Sequence, residues 1–334
     1  MTAPAGRTTL RVLAPGPQAT VQDLGRPGWF ATGVGVSGAA DSLSLLRANR
    51  LVGNPDSAAG IECLLGGLEL SVPAPVVVAI TGAPAPITID DEPVRPGVAV
   101  PVPAGAQLRL GVATAGLRVY LGVRGGVAVP PVLGSRSRDT LAGLGPEPLV
   151  AGDELPVGPL PATTPRPVPP PLPISGDPVA VRALPGPRDD WFARPTDLFA
   201  GHWLVSDRLD RVGIRLDRPG DAPPLRHRAR RELPAEGIPL GAIQIPPSGE
   251  PVVFLADHPI TGGYPVIAVV LSADIPVLAQ LRPGQQLRFE PPGGRTRPVG
   301  PLRFGGGATD DDVTAILAAF AYSSAAAATP ARRP

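Results

Sequence analysis

Three glycine-rich segments of this 334-residue sequence bring polar side chains together at short spacing. The first is Gln-Asp-Leu-Gly-Arg at 22–26, followed by Ser-Gly-Ala-Ala-Asp ending at Asp41. Arginine offers a fork of N–H donors that fits a carboxylate. We therefore expect Asp23 and Arg26 to be catalytic, with Gln22 and Asp41 contacting substrate. The alternative is an Asp–Arg pair that only fixes the turn.

The second segment combines Arg-Gly-Gly at 124–126 with Gly-Ser-Arg-Ser-Arg-Asp-Thr at 134–140. Backbone N–H groups of small residues beside arginines can form an anion site. Arg124, Ser135 and Arg136 are therefore candidate contacts for substrate or ATP. A solvated, arginine-rich loop is the other interpretation.

The third segment, Asp-His-Pro-Ile-Thr-Gly-Gly-Tyr-Pro at 257–265, gathers a carboxylate, an imidazole, a hydroxyl and a phenol. We predict that Asp257 and Tyr264 are catalytic. His258 could act as a general base, or it could be a surface residue in a turn. The further candidates for substrate or ATP binding are Gln244, Thr261, Gly262 and Gly263.

The composition excludes several kinds of chemistry. The sequence has no lysine, so it can form no Schiff base, carry no covalent biotin and contain no Gly-Lys-Ser/Thr phosphate loop. A single cysteine, Cys63, excludes an internal disulfide and a multi-cysteine metal site. The three histidines form no metal-binding pair, so we predict no metal site.

The charge and the hydropathy of the sequence limit the kinds of partner that we expect. Thirty basic residues against 29 acidic ones give no basic excess for nucleic acid. No apolar run approaches the roughly 18 residues of a membrane span. The first ten residues lack the apolar core of a signal peptide, so we expect a cytoplasmic protein that acts on a small molecule.

The elements that must position these loops are mostly strands. Between residues 60 and 126, apolar or alternating runs of three to seven residues are separated by Pro or Gly, which is typical of a β-sandwich or barrel. A similar pattern begins at Val179. A helix is predicted from about Ala39 to Val52, because Asp41 suits its start and Gly53-Asn54-Pro55 ends it.

A proline-rich segment divides the sequence. Residues 156–178 contain ten prolines, a composition that favours a semi-rigid spacer. We therefore predict a first domain at 7–155, a linker at 156–178, a second domain at 179–290, and a tail at 291–334. The tail should hold a short alanine-rich helix near 310–322.

The order of the motifs resembles one protein family. The matching blocks include QDLGR at 22–26, SGAAD at 37–41, ANRLVGN at 48–54, GSRS at 134–137, a Glu236–Pro246 run and TGGYP at 261–265. They are similar to the family that includes the C subunit of 5-oxoprolinase, the Kip inhibitor antagonist and allophanate hydrolase subunit 2, whose members are described as biotin-dependent carboxyltransferase-like. Two departures are Arg188, where the family has glutamine, and the charged pair Asp210-Arg211.

The resemblance implies a mainly-β fold of two cyclophilin-like β-barrels with a few short helices. It also implies one component of an ATP-dependent 5-oxoprolinase, inactive alone, that opens 5-oxo-L-proline to L-glutamate. Its partners would be a B-type, Kip inhibitor-like subunit and an A-type, lactam-utilisation-like subunit, with ATP and Mg²⁺ used by the complex. Two alternatives stay open: a carboxyltransferase module served by a separate biotin carrier, and a non-catalytic antagonist of a Kip-like kinase inhibitor.

Overall fold

The computed structural model describes residues 8–166, 168, 171, 178–220, 225–228 and 232–292. The chain divides into two compact units, Met1–Leu172 and Pro173–Pro334. The division falls inside the proline-rich segment predicted as a linker. Each unit is described by itself below.

The described part of the first unit consists of two antiparallel sheets, one long helix and a single 3-10 turn at Phe30–Thr32. Helix α1 spans Ser42–Leu51. The strands are β1 (Thr9–Ala14), β2 (Gln18–Gln22), β3 (Gly60–Leu64), β4 (Glu69–Val72), β5 (Val76–Gly82), β6 (Ile87–Ile89), β7 (Glu92–Pro93), β8 (Ala99–Val102), β9 (Ala106–Leu110), β10 (Arg118–Val123) and β11 (Glu154–Pro156). One sheet has the order β11-β1-β4-β9-β6-β7, and the other has the order β2-β3-β10-β5-β8.

The two sheets of the first unit face each other across one apolar core. Leu70 and Leu108 enter it from the six-stranded sheet, and Val21 and Ile61 enter it from the five-stranded sheet. Strand β10 is buried along its whole length because α1 packs against its outer face as well. This explains why β10 is apolar over most of its length instead of alternating.

The described part of the second unit is built around a closed seven-stranded barrel with the order β12-β19-β16-β17-β14-β13-β20. Its strands are β12 (Val179–Pro185), β13 (Trp203–Leu209), β14 (Gly213–Asp217), β16 (Ala242–Gln244), β17 (Val252–Phe254), β19 (Val266–Val270) and β20 (Gln286–Glu290). A separate two-stranded ribbon joins β15 (Glu236–Gly237) to β18 (Thr261–Gly262). The short helix α2 (Ile275–Leu278) and 3-10 turns at Asp189–Trp191, Pro195–Phe199 and Ser272–Asp274 complete it.

The mainly-β fold class is confirmed, with the closed barrel in the second unit. In the first unit the strands form two facing sheets. Helix α1 is also confirmed, with Asp41 as its N-cap. The tail helix expected near 310–322 lies outside the described residues. No helix in the described ranges is both long and apolar enough to cross a membrane.

The beginning of the proline-rich segment lies against the first unit. Pro156 ends β11 and pairs with Thr9 of β1. Further along, Thr163 Oγ1 donates to the Gly53 carbonyl at 2.5 Å, and the Arg166 amide donates to the Arg50 carbonyl at 3.0 Å. The segment that contains Thr163 and Arg166 therefore lies next to the C-terminal end of α1.

Candidate functional site

Asp23 lies at the centre of a buried hydrogen-bond network that joins two glycine-rich loops of the first unit. Its Oδ1 accepts hydrogen bonds from the Ser135 and Ser137 hydroxyls, both at 2.6 Å, and from the Gly25 amide at 2.8 Å. Its Oδ2 accepts from the Arg136 amide at 2.7 Å. Four donors around a carboxylate that is 6% exposed make it a strong tie between the loops.

Arg26 is buried next to this network and is 1% exposed. Its Nη2 donates to the Ser137 carbonyl, and its Nη1 lies 3.9 Å from Asp139 Oδ2. Within the described residues, Nη1 has no hydrogen-bond partner. The guanidinium therefore holds the 134–140 loop in place through Ser137 and Asp139. A catalytic role for Asp23 and Arg26 stays a prediction.

Gln22 and Arg136 belong to the same network. Gln22 Nε2 donates to the Thr20 hydroxyl and to the Arg138 carbonyl, both at 3.0 Å, and the side chain is fully buried. Arg136 Nε donates to the Val129 carbonyl at 2.7 Å. The structure thus brings five of the predicted site residues together. Each of them forms hydrogen bonds with other residues of the first unit: Gln22, Asp23, Arg26, Ser135 and Arg136.

Asp41 belongs to a second buried network. It caps α1, since its Oδ1 accepts from the Ser44 amide at 2.9 Å and its Oδ2 from the Ser44 hydroxyl at 2.6 Å. The Asp41 amide donates to the Tyr120 hydroxyl, which donates to Glu62 Oε2 at 2.7 Å. Glu62 Oε1 lies 3.5 Å from Arg118 Nε. Burial, and then the Glu62 charge, raises the pKa of Tyr120 well above its usual range.

Arg124 lies at the other end of α1. Its Nη1 donates to the Val52 carbonyl at 2.6 Å, and its Nη2 donates to the carbonyls of Pro161 and Thr163 at 3.1 and 3.0 Å. A cation here neutralises the C-terminal end of the helix. Arg124 also binds the proline-rich segment through the Pro161 and Thr163 carbonyls, so its contacts in the structure are with the protein itself.

In the second unit, Asp257 is held by an arginine. Arg211 Nε and Nη2 donate to its two carboxylate oxygens, each at 2.9 Å, and both side chains are buried. His258 Nδ1 lies 2.9 Å from the Pro259 carbonyl oxygen. Arg211, a departure from the family pattern, thus supplies the charge that a buried Asp257 requires.

The TGGYP segment borders an open cavity of about 1040 Å³ in the second unit. Gln244 Nε2 donates to the Tyr264 carbonyl at 2.9 Å, which fixes the turn. A Cβ on Gly262 would lie 2.9 Å from the same Nε2, so a larger residue there would displace Gln244. Thr261, which is exposed, forms β18 together with Gly262, while Gly263 and Tyr264 line the cavity.

This cavity has a basic and aromatic lining, and Tyr264 reaches it with its side chain 48% exposed. Its other lining residues are Trp191, Arg218, Leu225, Arg226, His227, Glu232, Leu233, Pro247, Ser248, Gly249 and Pro265. Cavities of several hundred cubic ångströms with a few polar groups are the usual form of ligand sites. Tyr264 is the candidate side chain that lines this cavity.

Sequence reasoning missed Arg218, Arg226 and His227. The run Arg226-His227-Arg228 was a visible signal, because basic residues are dense there in a sequence of nearly neutral charge. In the sequence, Arg188 stands out only as a departure from the family pattern. The structure pairs it with Glu236, whose two carboxylate oxygens lie 3.1 and 3.0 Å from Arg188 Nε. That contact lowers the pKa of Glu236, and it fastens β15 near the TGGYP turn.

The chain belongs to the carboxyltransferase domain family, subdomains A and B, whose model matches residues 32–291. A similar curated protein is the C subunit of 5-oxoprolinase from Escherichia coli (strain K12). It is 36% identical over 285 residues, which is 84% of this chain and 90% of that protein. The family predicted from the motif order is thereby confirmed.

Other similar proteins are much longer than this chain. The urea amidolyase of Saccharomyces cerevisiae is 32% identical over 311 residues, which is 85% of this chain but 17% of that protein. The crystal structure of Kluyveromyces lactis urea carboxylase matches with a TM-score of 0.79 and 31% identity, over 87% of this chain and 28% of that one. The chain also spans 57% of the solved protein TTHA0988, at 35% identity and a TM-score of 0.77.

Proposed function

We propose that this chain is the C subunit of an ATP-dependent 5-oxoprolinase, which opens 5-oxo-L-proline to L-glutamate together with A and B subunits. The observation that carries the proposal is the 36% identity to the E. coli C subunit over 90% of that protein's length, against 32% identity to a urea amidolyase.

The proposed reaction couples ring opening to ATP. An unactivated lactam resists water, and transfer of a phosphoryl group from ATP to the lactam oxygen activates the carbonyl carbon. Water then adds at that carbon, the C–N bond breaks as the nitrogen takes up a proton, and hydrolysis of the acyl phosphate that remains releases phosphate and L-glutamate. The protein must position the reactants and stabilise negative charge, tasks that arginines and backbone N–H groups perform. The partner subunits we propose are a lactam-utilisation-like A subunit and a Kip inhibitor-like B subunit.

Magnesium would enter with the nucleotide. In the described part of the chain, no three His, Cys, Asp or Glu side chains gather where they could hold a metal ion. The phosphates of ATP and the partner subunits would therefore bind the ion. We place the complex in the cytoplasm, where ATP is available.

Reconstitution tests the proposal. The purified chain should form no glutamate from 5-oxoproline and ATP, and it should gain this activity when both partner subunits are added. Omitting each subunit in turn is the control. Turnover by this chain alone, or no turnover by the complete set, would contradict the proposal.

The urea-processing relatives favour one second candidate, a carboxyltransferase module. Because this sequence has no lysine, the biotin would have to be carried by another protein. A biotinylated carrier and bicarbonate-derived carboxyl groups would then replace 5-oxoproline in the assay. Carboxyl transfer to a small acceptor that depends on this chain would favour the second candidate.

A further inference from the structure

Among the described residues that line the cavity of the second unit, basic side chains outnumber acidic ones. Arg218 and Arg226 both line it, and Glu232 is the one acidic residue of that described lining. Arg218 Nη2 donates to the Gly249 carbonyl at 2.9 Å, and its guanidinium lies 5.7 Å from the centre of the Trp203 ring. The Arg218 guanidinium is therefore fixed, while Arg226 is exposed.

The two arginines act on each other. Burial lowers the pKa of Arg218; Glu250 opposes this shift, and the charge of Arg226 adds to it. Glu250 is shared with Arg208, whose Nη2 lies 3.7 Å from Glu250 Oε2. A ligand with several negative charges would relieve this repulsion, whereas a single carboxylate needs only one guanidinium.

The rest of the lining suits a flat ring. Tyr264 presents a half-exposed phenol ring at the edge of the cavity. Leu233 and Pro265 add apolar surface beside it. The volume of about 1040 Å³ is at the upper end of the range for small-molecule sites, far larger than a five-membered lactam requires.

We infer that this cavity binds a nucleoside phosphate, with the phosphates on Arg218 and Arg226 and the base against Tyr264. The inference rests on the proposed function only for the nucleotide tested first, ATP. It assigns nucleotide binding to the second unit of this chain, which is separate from the question of which subunit performs the chemistry.

Calorimetric titration of the purified full chain tests the inference with four probes: ATP, inorganic triphosphate, adenosine and 5-oxoproline. ATP should bind more tightly than triphosphate or adenosine. Arg226→Ala should weaken ATP and triphosphate about tenfold each, because both lose a charge-assisted contact. Tyr264→Ala should weaken ATP but leave triphosphate binding unchanged.

Arg215→Ala is the matched control, since Arg215 is an exposed arginine on β14 that does not line the cavity. Arg218→Met keeps an unbranched stem over Trp203, and its thermal midpoint reports whether the barrel stays folded. The inference is overturned if ATP does not bind, if 5-oxoproline binds instead, or if Arg226→Ala weakens ATP no more than Arg215→Ala.

The two proposals fail separately. ATP binding by this chain, without glutamate formation by the complete set of subunits, would remove the proposed function and keep the nucleotide site. Turnover by the complete set, with Arg226→Ala and Tyr264→Ala leaving the KM for ATP unchanged, would keep the function and remove the site.

Discussion

Arg211 and Asp257 form a buried two-point ion pair, in which both N–O distances are 2.9 Å. Removing one partner takes two charge-assisted hydrogen bonds away from a charged group buried inside the second unit. Asp257→Ala should therefore lower the free energy of unfolding by about 3–5 kcal/mol, measured by urea denaturation. The double variant Arg211→Met/Asp257→Leu should lose less than Asp257→Ala alone. Equal losses would show that the pair is not the source of the effect.

Asp23 should matter to stability more than an ordinary surface aspartate does. Asp23→Ala leaves four hydrogen-bond donors without their acceptor, so we expect the free energy of unfolding to fall by about 2–4 kcal/mol. Asp207→Ala, at an exposed position on β13, is the control. If the two variants unfold at the same urea concentration, Asp23 does not tie the loops together.

The variant Arg26→Ala distinguishes a structural role of Arg26, which is to hold the 134–140 loop, from a role in catalysis. The buried guanidinium binds the 134–140 loop, so stability should fall as well as activity. The measurement is turnover of the assembled complex per folded molecule, beside the thermal midpoint. A tenfold loss of turnover with an unchanged midpoint would support direct action on substrate.

Stability should fall in alkaline solution. Burial and the neighbouring Glu62 raise the pKa of Tyr120, and the same causes raise the pKa of the Cys63 thiol. The folded protein keeps both protons, while the unfolded chain releases them near about pH 8.5 for cysteine and about pH 10 for tyrosine. The stabilisation is thus complete below about pH 8.5 and declines as pH rises. Urea denaturation from pH 7 to 11 should show this decline, and Tyr120→Phe should flatten the part above about pH 10.

Arg124→Ala should loosen the proline-rich segment. Losing the hydrogen bonds to Pro161 and Thr163 frees that backbone from the first unit. A broad-specificity protease should then cut near residues 161–166 several-fold faster, as mapped by mass spectrometry of the fragments. Arg109→Ala, which removes two exposed ion pairs elsewhere, with Glu69 and Asp91, should leave the cleavage rate unchanged.

The local sequence pattern was sufficient to predict many of the helices and strands. Most of the contacts that it did not predict join residues that are far apart in the sequence. The apolar runs of β1 and β10 and the cap at Asp41 are readable in the sequence. Asp23 could not be interpreted that way, because Ser135 and Ser137 are 112 and 114 residues further along. Likewise, the role of Arg211, which departs from the family pattern, could not be predicted from the sequence. The residue that it pairs with, Asp257, lies 46 residues later in the sequence.

The order of strands in the second unit has a consequence for synthesis of the chain. β12 pairs in parallel with β20, so that Val179 lies opposite Leu287, and β20 also borders β13. The barrel therefore cannot close until β20, Gln286–Glu290, has left the ribosome. Until then, β12 and β13 each present an open edge, the kind of surface on which other strands can add. A nascent chain halted before β20 would be prone to aggregate for this reason.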